Sequence, residues 1–400
     1  KIIITLFCLF LLSPTIILLY SSFFITETEL LNNIIETLLP TISNTLVICG
    51  GVSILATLLG GITAFLLVKT NLPCRRLFFV FIILGLALPM HVYISTWLIL
   101  LGRNGILTNI AKFFFSNFYI YNTWGVIWIN GIAITPLTTL LCSIGFYSVD
   151  KLLEEQTCTY LSLPQRILWV ILPQGSWGII TSLVITFILS LGEISVVDVL
   201  GVDTMARKIY LLISLYYKPK LAILFMIPIL FAITIICLLL YFFIRCKGAN
   251  IIGNLKEINC LFLPLNKILS LIIVLLIISS YMVVIPVLFK SCNDFETIYS
   301  TYKATHSEIW FSLIVAAISS FFIAIIAMPL AWIILRKFRL YLFLLITLIW
   351  LTLLPGALLG IGIVRLVNKG ADLPLIGQLC LMVRDSNLMR CLSLFMKYLP

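Results

Sequence analysis

Charge is what this chain lacks. Asp, Glu, Lys and Arg supply 10% of its residues, against about 25% in an average soluble domain. Histidine is nearly absent, with only His91 and His306, and no two cysteines stand in a C-x-x-C. These shortages remove the usual ligand sets of a metal centre. A disulfide framework is excluded too, because Cys8, Cys49, Cys142 and Cys237 lie inside apolar runs, where a thiol acts as a small hydrophobe. No G-x-x-x-x-G-K-[ST] occurs, so there is no phosphate-cradling loop of that kind and no cofactor is implied. The basic residues are scattered among loops rather than clustered, so the formal charge of +11 is no nucleic-acid footprint. No cluster of His, Asp and Glu stands at the end of an apolar run, which leaves a polytopic membrane enzyme without support.

What is abundant is apolar surface. Hydrophobic residues make up 62% of the chain, and the mean hydropathy is +1.20. A helix needs ~20 residues to cross ~30 Å of hydrocarbon, and runs without alternation are helices rather than barrel strands. Such runs occur at Ile2–Phe23, Asn44–Val68, Leu77–Leu101, Thr123–Val149, Gly175–Gly201, Leu221–Ile244, Ile268–Phe289, Ile309–Leu335 and Leu340–Val367, with another beginning near Leu388. The fold class expected is an all-α polytopic membrane protein, set in a lipid bilayer. The first run is long and has no cleavage pattern, so it reads as a span rather than a signal peptide.

Orientation is set by the first hairpin. Loop 24–43 carries Glu27, Glu29 and Glu36 and no base, whereas loop 69–76 carries Lys69, Arg75 and Arg76. The positive-inside rule places 69–76 in the cytoplasm, and threading from there puts Asp150–Pro173, Arg245–Lys267 and Arg336–Arg339 on the same side. Arg207, Lys208, Lys218 and Lys220 then fall outside.

The chain also repeats. Residues 45–69 match 312–336 in length and character: Ala64 falls on Ala331 and Lys69 on Arg336. One residue of slip later, Leu88–Pro89 falls on Leu354–Pro355 and Arg103 on Lys369. An even number of runs lies between the copies, so they share one orientation, a parallel rather than an inverted repeat. The organisation expected is a first six-span half over 1–245, a cytoplasmic linker at 246–266, and a second half over 267–400 that stops before the counterpart of residues 150–173.

Two polar features remain. Glu193 stands in the run 175–201, where a central acid costs on the order of 2.5–3.5 kcal/mol. It is expected either to line a pathway or to make an interhelical hydrogen bond as a neutral carboxyl. Asp198, nearer the outer end, is expected to be solvated. Prolines 89, 136, 228, 286, 329 and 355 interrupt runs, so each should mark a kink.

The densest polar segment is Asp150–Pro173, DKLLEEQTCTYLSLPQRILWVILP. It reads as two short helices and a turn, with Leu152, Leu153, Leu161, Leu163, Ile167, Leu168 and Val170 as a face to bury in a groove on a partner. Pro173 is expected to stop the second helix. This segment resembles the E-A-A-x-x-x-G … I-x-L-P loop of importer-type ABC permeases. Glu155-Gln156-Thr157 stands at E-A-A, Leu161 at the Gly, Ser162-Leu163-Pro164 at the turn, and Val170-Ile171-Leu172-Pro173 at I-x-L-P. Alignment from the far end puts Glu154 at the acid instead. Neither the Ala pair nor the Gly is present. LSLGEISVVDVLG at 189–201 is similar to the span after this loop in iron(III) permeases.

The resemblance implies a multi-pass transport subunit of the cell (inner) membrane without its own ATPase site, its two halves fused as in iron(III) and thiamine permeases. Glu154, Glu155, Leu161, Pro164, Leu172 and Pro173 would couple it to an ABC ATPase subunit, expected as a dimer. An extracytoplasmic solute-binding protein would deliver cargo, iron(III) first and thiamine next. The competing class is an ion-coupled secondary transporter with parallel repeats.

Overall fold

The computed structural model describes residues 28–103, 105–108, 119–216, 266–291 and 295–335, some positions among 221–235 and 360–368, and residues 13, 113, 263 and 347. The run Ile2–Phe23 except for Ser13, Pro355 and, except for Leu263 and Asn266, the linker 246–266 lie outside the described residues. Every regular element among the described residues is a helix. Among the described residues, four stretches are long and apolar enough to cross a membrane: Thr37–Lys69, Thr123–Tyr147, Leu163–Leu191 and Ile298–Trp332. Two bent helix pairs would bring these to six.

The chain divides into two compact units, one of residues 39–207 and 238–293, the other of 1–38, 208–237 and 294–400. In the second, the main described element is Phe295–Leu335, a 41-residue helix that begins well before the apolar run expected at Ile309. Its side chains Phe321, Phe322, Ile325 and Met328 are exposed, as befits a helix whose backbone satisfies itself and whose flanks face an apolar medium.

The first unit is built around α4. Helix α1 spans Thr28–Lys69, α2 Arg75–Ala87, α3 Met90–Leu101 and α4 Thr123–Tyr147. The loop expected at 24–43 is therefore helical from Thr28. TELLNNIIETLL sets apolar pairs at helical spacing, and no breaker precedes Pro40. Asn122 starts α4 by accepting from the Gly125 amide at 2.9 Å. Some 78% of the α4 span is buried. Its Ile127, Ile129, Ile132 and Ile134 sit in one core with Val52 and Ala56 of α1, Phe78 and Ile82 of α2, and Tyr93 and Trp97 of α3.

Helix α4 meets its neighbours at backbone distance. The Thr138 hydroxyl donates to the Ala56 carbonyl of α1 at 2.7 Å, and a methyl group added at Gly60 would lie 2.0 Å from that hydroxyl. On the other flank, Gly145 faces Gly178 so closely that a methyl on Gly178 would stand 2.7 Å from the Gly145 Cα. Small residues at such crossings let two helices pack without side chains between them.

The run Leu77–Leu101 is not one straight span. Helices α2 and α3 meet at 97°. Pro89 has no amide hydrogen and disfavours helical geometry at the residue before it; Leu88 is accordingly extended, with φ −76° and ψ 125°. The Gly85 carbonyl, to which Pro89 cannot donate, accepts from the Leu88 amide at 3.4 Å and from the Tyr93 hydroxyl at 3.0 Å.

After α4 come α5, Lys151–Thr157, α6, Leu163–Arg166, a π-helical turn at Ile167–Ile171, α7, Leu172–Leu191, and α8, Ser195–Val199. Next are α9, Met205–Ser214, α10, Lys267–Met282, and α11, Val284–Ser291. The chain stays helical from Leu163 to Leu191. Pro173 therefore does not stop a helix: it sits in the first turn of α7. The preceding turn is widened, with the Leu172 amide reaching back to the Ile167 carbonyl, so the proline's missing donor is accommodated. Helices α10 and α11 bend by 45° just before Pro286.

Candidate functional site

The segment 150–173 forms a compact hairpin at one end of the first unit. Asp150 caps α5 by accepting from the Leu152 amide at 2.9 Å, and its own amide donates to the Gln174 side chain at 2.9 Å. That second bond ties the entrance of the hairpin to its exit. Ser162 opens α6, its amide donating to Gln165 Oε1 at 3.0 Å, with Pro164 in the first turn where its missing amide costs nothing.

The two candidate acids part company here. Glu155 is exposed, within 3.6 Å of Lys151 one helical turn away, with side-chain exposures of 47% and 44%. A solvated pair of this kind contributes about 0.3–0.5 kcal/mol. Glu154 is fully buried: its Oε2 accepts from Lys69 Nζ at 2.8 Å, and both side chains have 0% exposure. Lys69 is the last residue of α1, and its carbonyl accepts from the Leu263 amide at 2.7 Å. Around this junction Ala64, Val68, Phe146, Val149, Ile171 and Leu263 form a second apolar cluster. Loops 69–76 and 150–173 thus lie at the same end of the unit, as the charge threading requires.

The remaining candidates divide by exposure. Pro164 and Pro173 are exposed, while Leu161 and Leu172 are half-buried. Of the apolar face read from sequence, Leu152, Leu153 and Leu168 stand open; Leu161, Leu163, Ile167 and Val170 are partly covered. Two aromatics that the sequence reading passed over, Tyr160 at 88% and Trp169 at 77%, are the most exposed large hydrophobic side chains of the hairpin. Lys69 and Arg166 were missed as well. Arg166 is buried, donates to the Cys158 sulfur, and holds the turn closed.

The opposite end of α7 corrects a second expectation. Glu193 does not lie mid-helix, because α7 ends at Leu191 and Gly192 caps it. Glu193 stands half-buried in the break before α8, where its carboxylate accepts from the Ser195 amide at 2.9 Å. It therefore meets a backbone donor at a helix start, where an acid is favoured, not hydrocarbon. Asp198 is 39% exposed and pairs with Arg207 at 3.1 Å; Arg207 also reaches Asp203 at 2.8 Å. Among the described residues no three His, Cys, Asp or Glu side chains gather where they would hold a metal ion.

The hairpin and the helices beside it lie within the stretch that matches a family of ABC-type transport permeases. Residues 56–246 match the family described as binding-protein-dependent transport system inner membrane component. The chain's similar proteins include the ferric transport system permease protein FbpB of Actinobacillus pleuropneumoniae, 28% identical over 225 residues. That match covers 53% of this chain and 32% of the relative. A solved amino acid ABC transporter with histidines aligns over 54% of this chain and 99% of its own, at 17% identity and a TM-score of 0.41.

Proposed function

We propose that the chain is the membrane-spanning permease of an ATP-driven importer, coupled to separate ATPase subunits through the hairpin 150–173 and served by an extracytoplasmic solute-binding protein. The observation that carries the reading is the hairpin itself, within the matched domain. It offers Leu152, Leu153, Tyr160 and Leu168 on a short, doubly capped element, the kind of apolar knob that seats in a groove. Glu155 and Lys151 rim it with charge. Motion of the partner ATPases would be passed through this knob to the bundle.

Iron(III) is the first cargo, supported by the ferric permease likeness, and thiamine the second. A two-half organisation is supported by helix length. Helix α1 has 42 residues and Phe295–Leu335 has 41, and the shift that carries Thr45 to Ser312 also carries Thr28 to Phe295. Their prolines, Pro40 and Pro329, do not coincide under that shift.

The test is uptake into proteoliposomes holding the chain and its ATPase. Uptake that vanadate abolishes and ionophores leave intact is the expected result, and reversal of Glu155 to Arg uncouples hydrolysis from uptake. Uptake driven by a proton or sodium gradient without ATP would make the chain an ion-coupled secondary transporter instead.

A further inference from the structure

We infer that Glu154 is a positioning residue that fastens the coupling hairpin to the end of α1, not a contact for the motor subunit; this rests on the importer reading. Four observations meet at this residue. Glu154 has no exposed surface, whereas its neighbours Leu152, Leu153 and Glu155 do. A protein docking on α5 meets those side chains and cannot reach the carboxylate. The acid is instead held by Lys69 at 2.8 Å, across a sequence separation of 85 residues. Its other oxygen, Oε1, has no hydrogen-bond partner, so Lys69 is the carboxylate's one polar anchor among the described residues. Finally, Lys69 ends α1, and α1 is bonded to the central helix α4 through Thr138 and Ala56.

The arrangement is a lever. A displacement of α5 that kept the ion pair intact would carry the end of α1 with it, and α1 leads into the core of the bundle. The exposed pair Lys151–Glu155 cannot do this, because both its members lie within α5 and the pair is screened by salt. The Lys69–Glu154 pair is enclosed by the cluster of Val68, Phe146, Val149 and Ile171, where screening is weak. One hairpin thus divides two tasks between adjacent acids: Glu155 faces the partner and Glu154 faces the bundle.

The test uses the chain reconstituted with its ATPase and binding protein. It reads two quantities, ATPase captured per permease and cargo moved per ATP hydrolysed. Glu154→Gln and Lys69→Met are expected to capture ATPase as the wild type does while cargo per ATP falls about tenfold. The exchanged pair, Lys69→Glu with Glu154→Lys, restores the larger part of the loss. Leu152→Asp, by contrast, loses capture.

Loss of capture by Glu154→Gln would make Glu154 a docking residue and overturn the inference, and so would undiminished coupling in both single variants. Should the single variants fail to accumulate, amide exchange on the wild-type complex decides. Residues 64–69 and 151–157 are expected to change protection together when ATP binds; a change confined to 151–157 refutes the lever. Failure of the wild-type chain to capture any ATPase is a separate outcome, and it strikes the importer reading itself.

Discussion

Removing either partner of the Lys69–Glu154 pair should destabilise the first unit far more than removing both. At 2.8 Å and an effective dielectric of about 20, the Coulomb attraction is about 6 kcal/mol. Desolvation of two buried ions costs several kcal/mol each and cancels most of that gain. The intact pair therefore contributes little net stability. A single substitution is another matter, because it strands one charge in the apolar cluster of Val68, Phe146 and Ile171. Lys69→Met alone leaves a carboxylate whose Oε1 already lacks a partner. Each single variant is expected to lose about 3–5 kcal/mol, while Lys69→Met with Glu154→Leu loses less than either. A double-mutant cycle measured by SDS titration of the purified chain gives these differences directly. Single variants within about 0.5 kcal/mol of wild type, the range of ordinary surface substitutions, would show that the pair is hydrated and that the burial argument is wrong.

Other sites offer independent checks on the fold. Gly178→Val places side-chain atoms where the Gly145 backbone now lies at 2.7 Å, so α4 and α7 must separate; a loss of folded protein in fluorescence-detected size-exclusion is expected, with Gly61→Ala, whose nearest neighbour is Cys142 Sγ at 4.0 Å, as the tolerated control. Tyr93→Phe removes the shorter of two hydrogen bonds to the Gly85 carbonyl, the Leu88 amide keeping the other, and should cost about 0.5–1.5 kcal/mol in the same titration. Arg207→Ala breaks two partly exposed ion pairs and is expected to change stability by less than about 1 kcal/mol.

Much of this architecture could be read from the chain because a bilayer leaves few choices. Thr123–Val149 reads as one span and is one helix, Thr123–Tyr147, since lipid forces a long apolar run to satisfy its own backbone. The hairpin was legible through its local chemistry: Asp150 caps the helix that begins at Lys151, and acids and leucines at helical spacing mark α5. The reading failed where local signals are silent. The kink expected at Pro89 is there, but its size was not legible: hydropathy runs straight through Leu88, Pro89 and Met90, although the backbone turns by 97°. In the same way Glu193 sits inside an apolar run that the structure breaks at Gly192, and Pro173 looked like a terminator because a π-turn has no sequence signature that would rescue it.

The buried ion pair was invisible for a different reason. Lys69 and Glu154 are 85 residues apart, and a lysine at the end of an apolar helix reads as a group reaching for water. Only the packing of the α1 and α4 ends against the hairpin shows that it does not. The facing glycines, 145 and 178, were missed alike, because each is unremarkable until the other is set opposite it.

Capture of a nucleotide-hydrolysing subunit by the hairpin tests the account most directly. The chain in nanodiscs is expected to retain its ATPase on an affinity column, and Leu152→Asp with Leu153→Asp to release it while the permease remains folded. Equal retention by that double variant, or an ATPase that never binds the wild-type chain, would contradict the account.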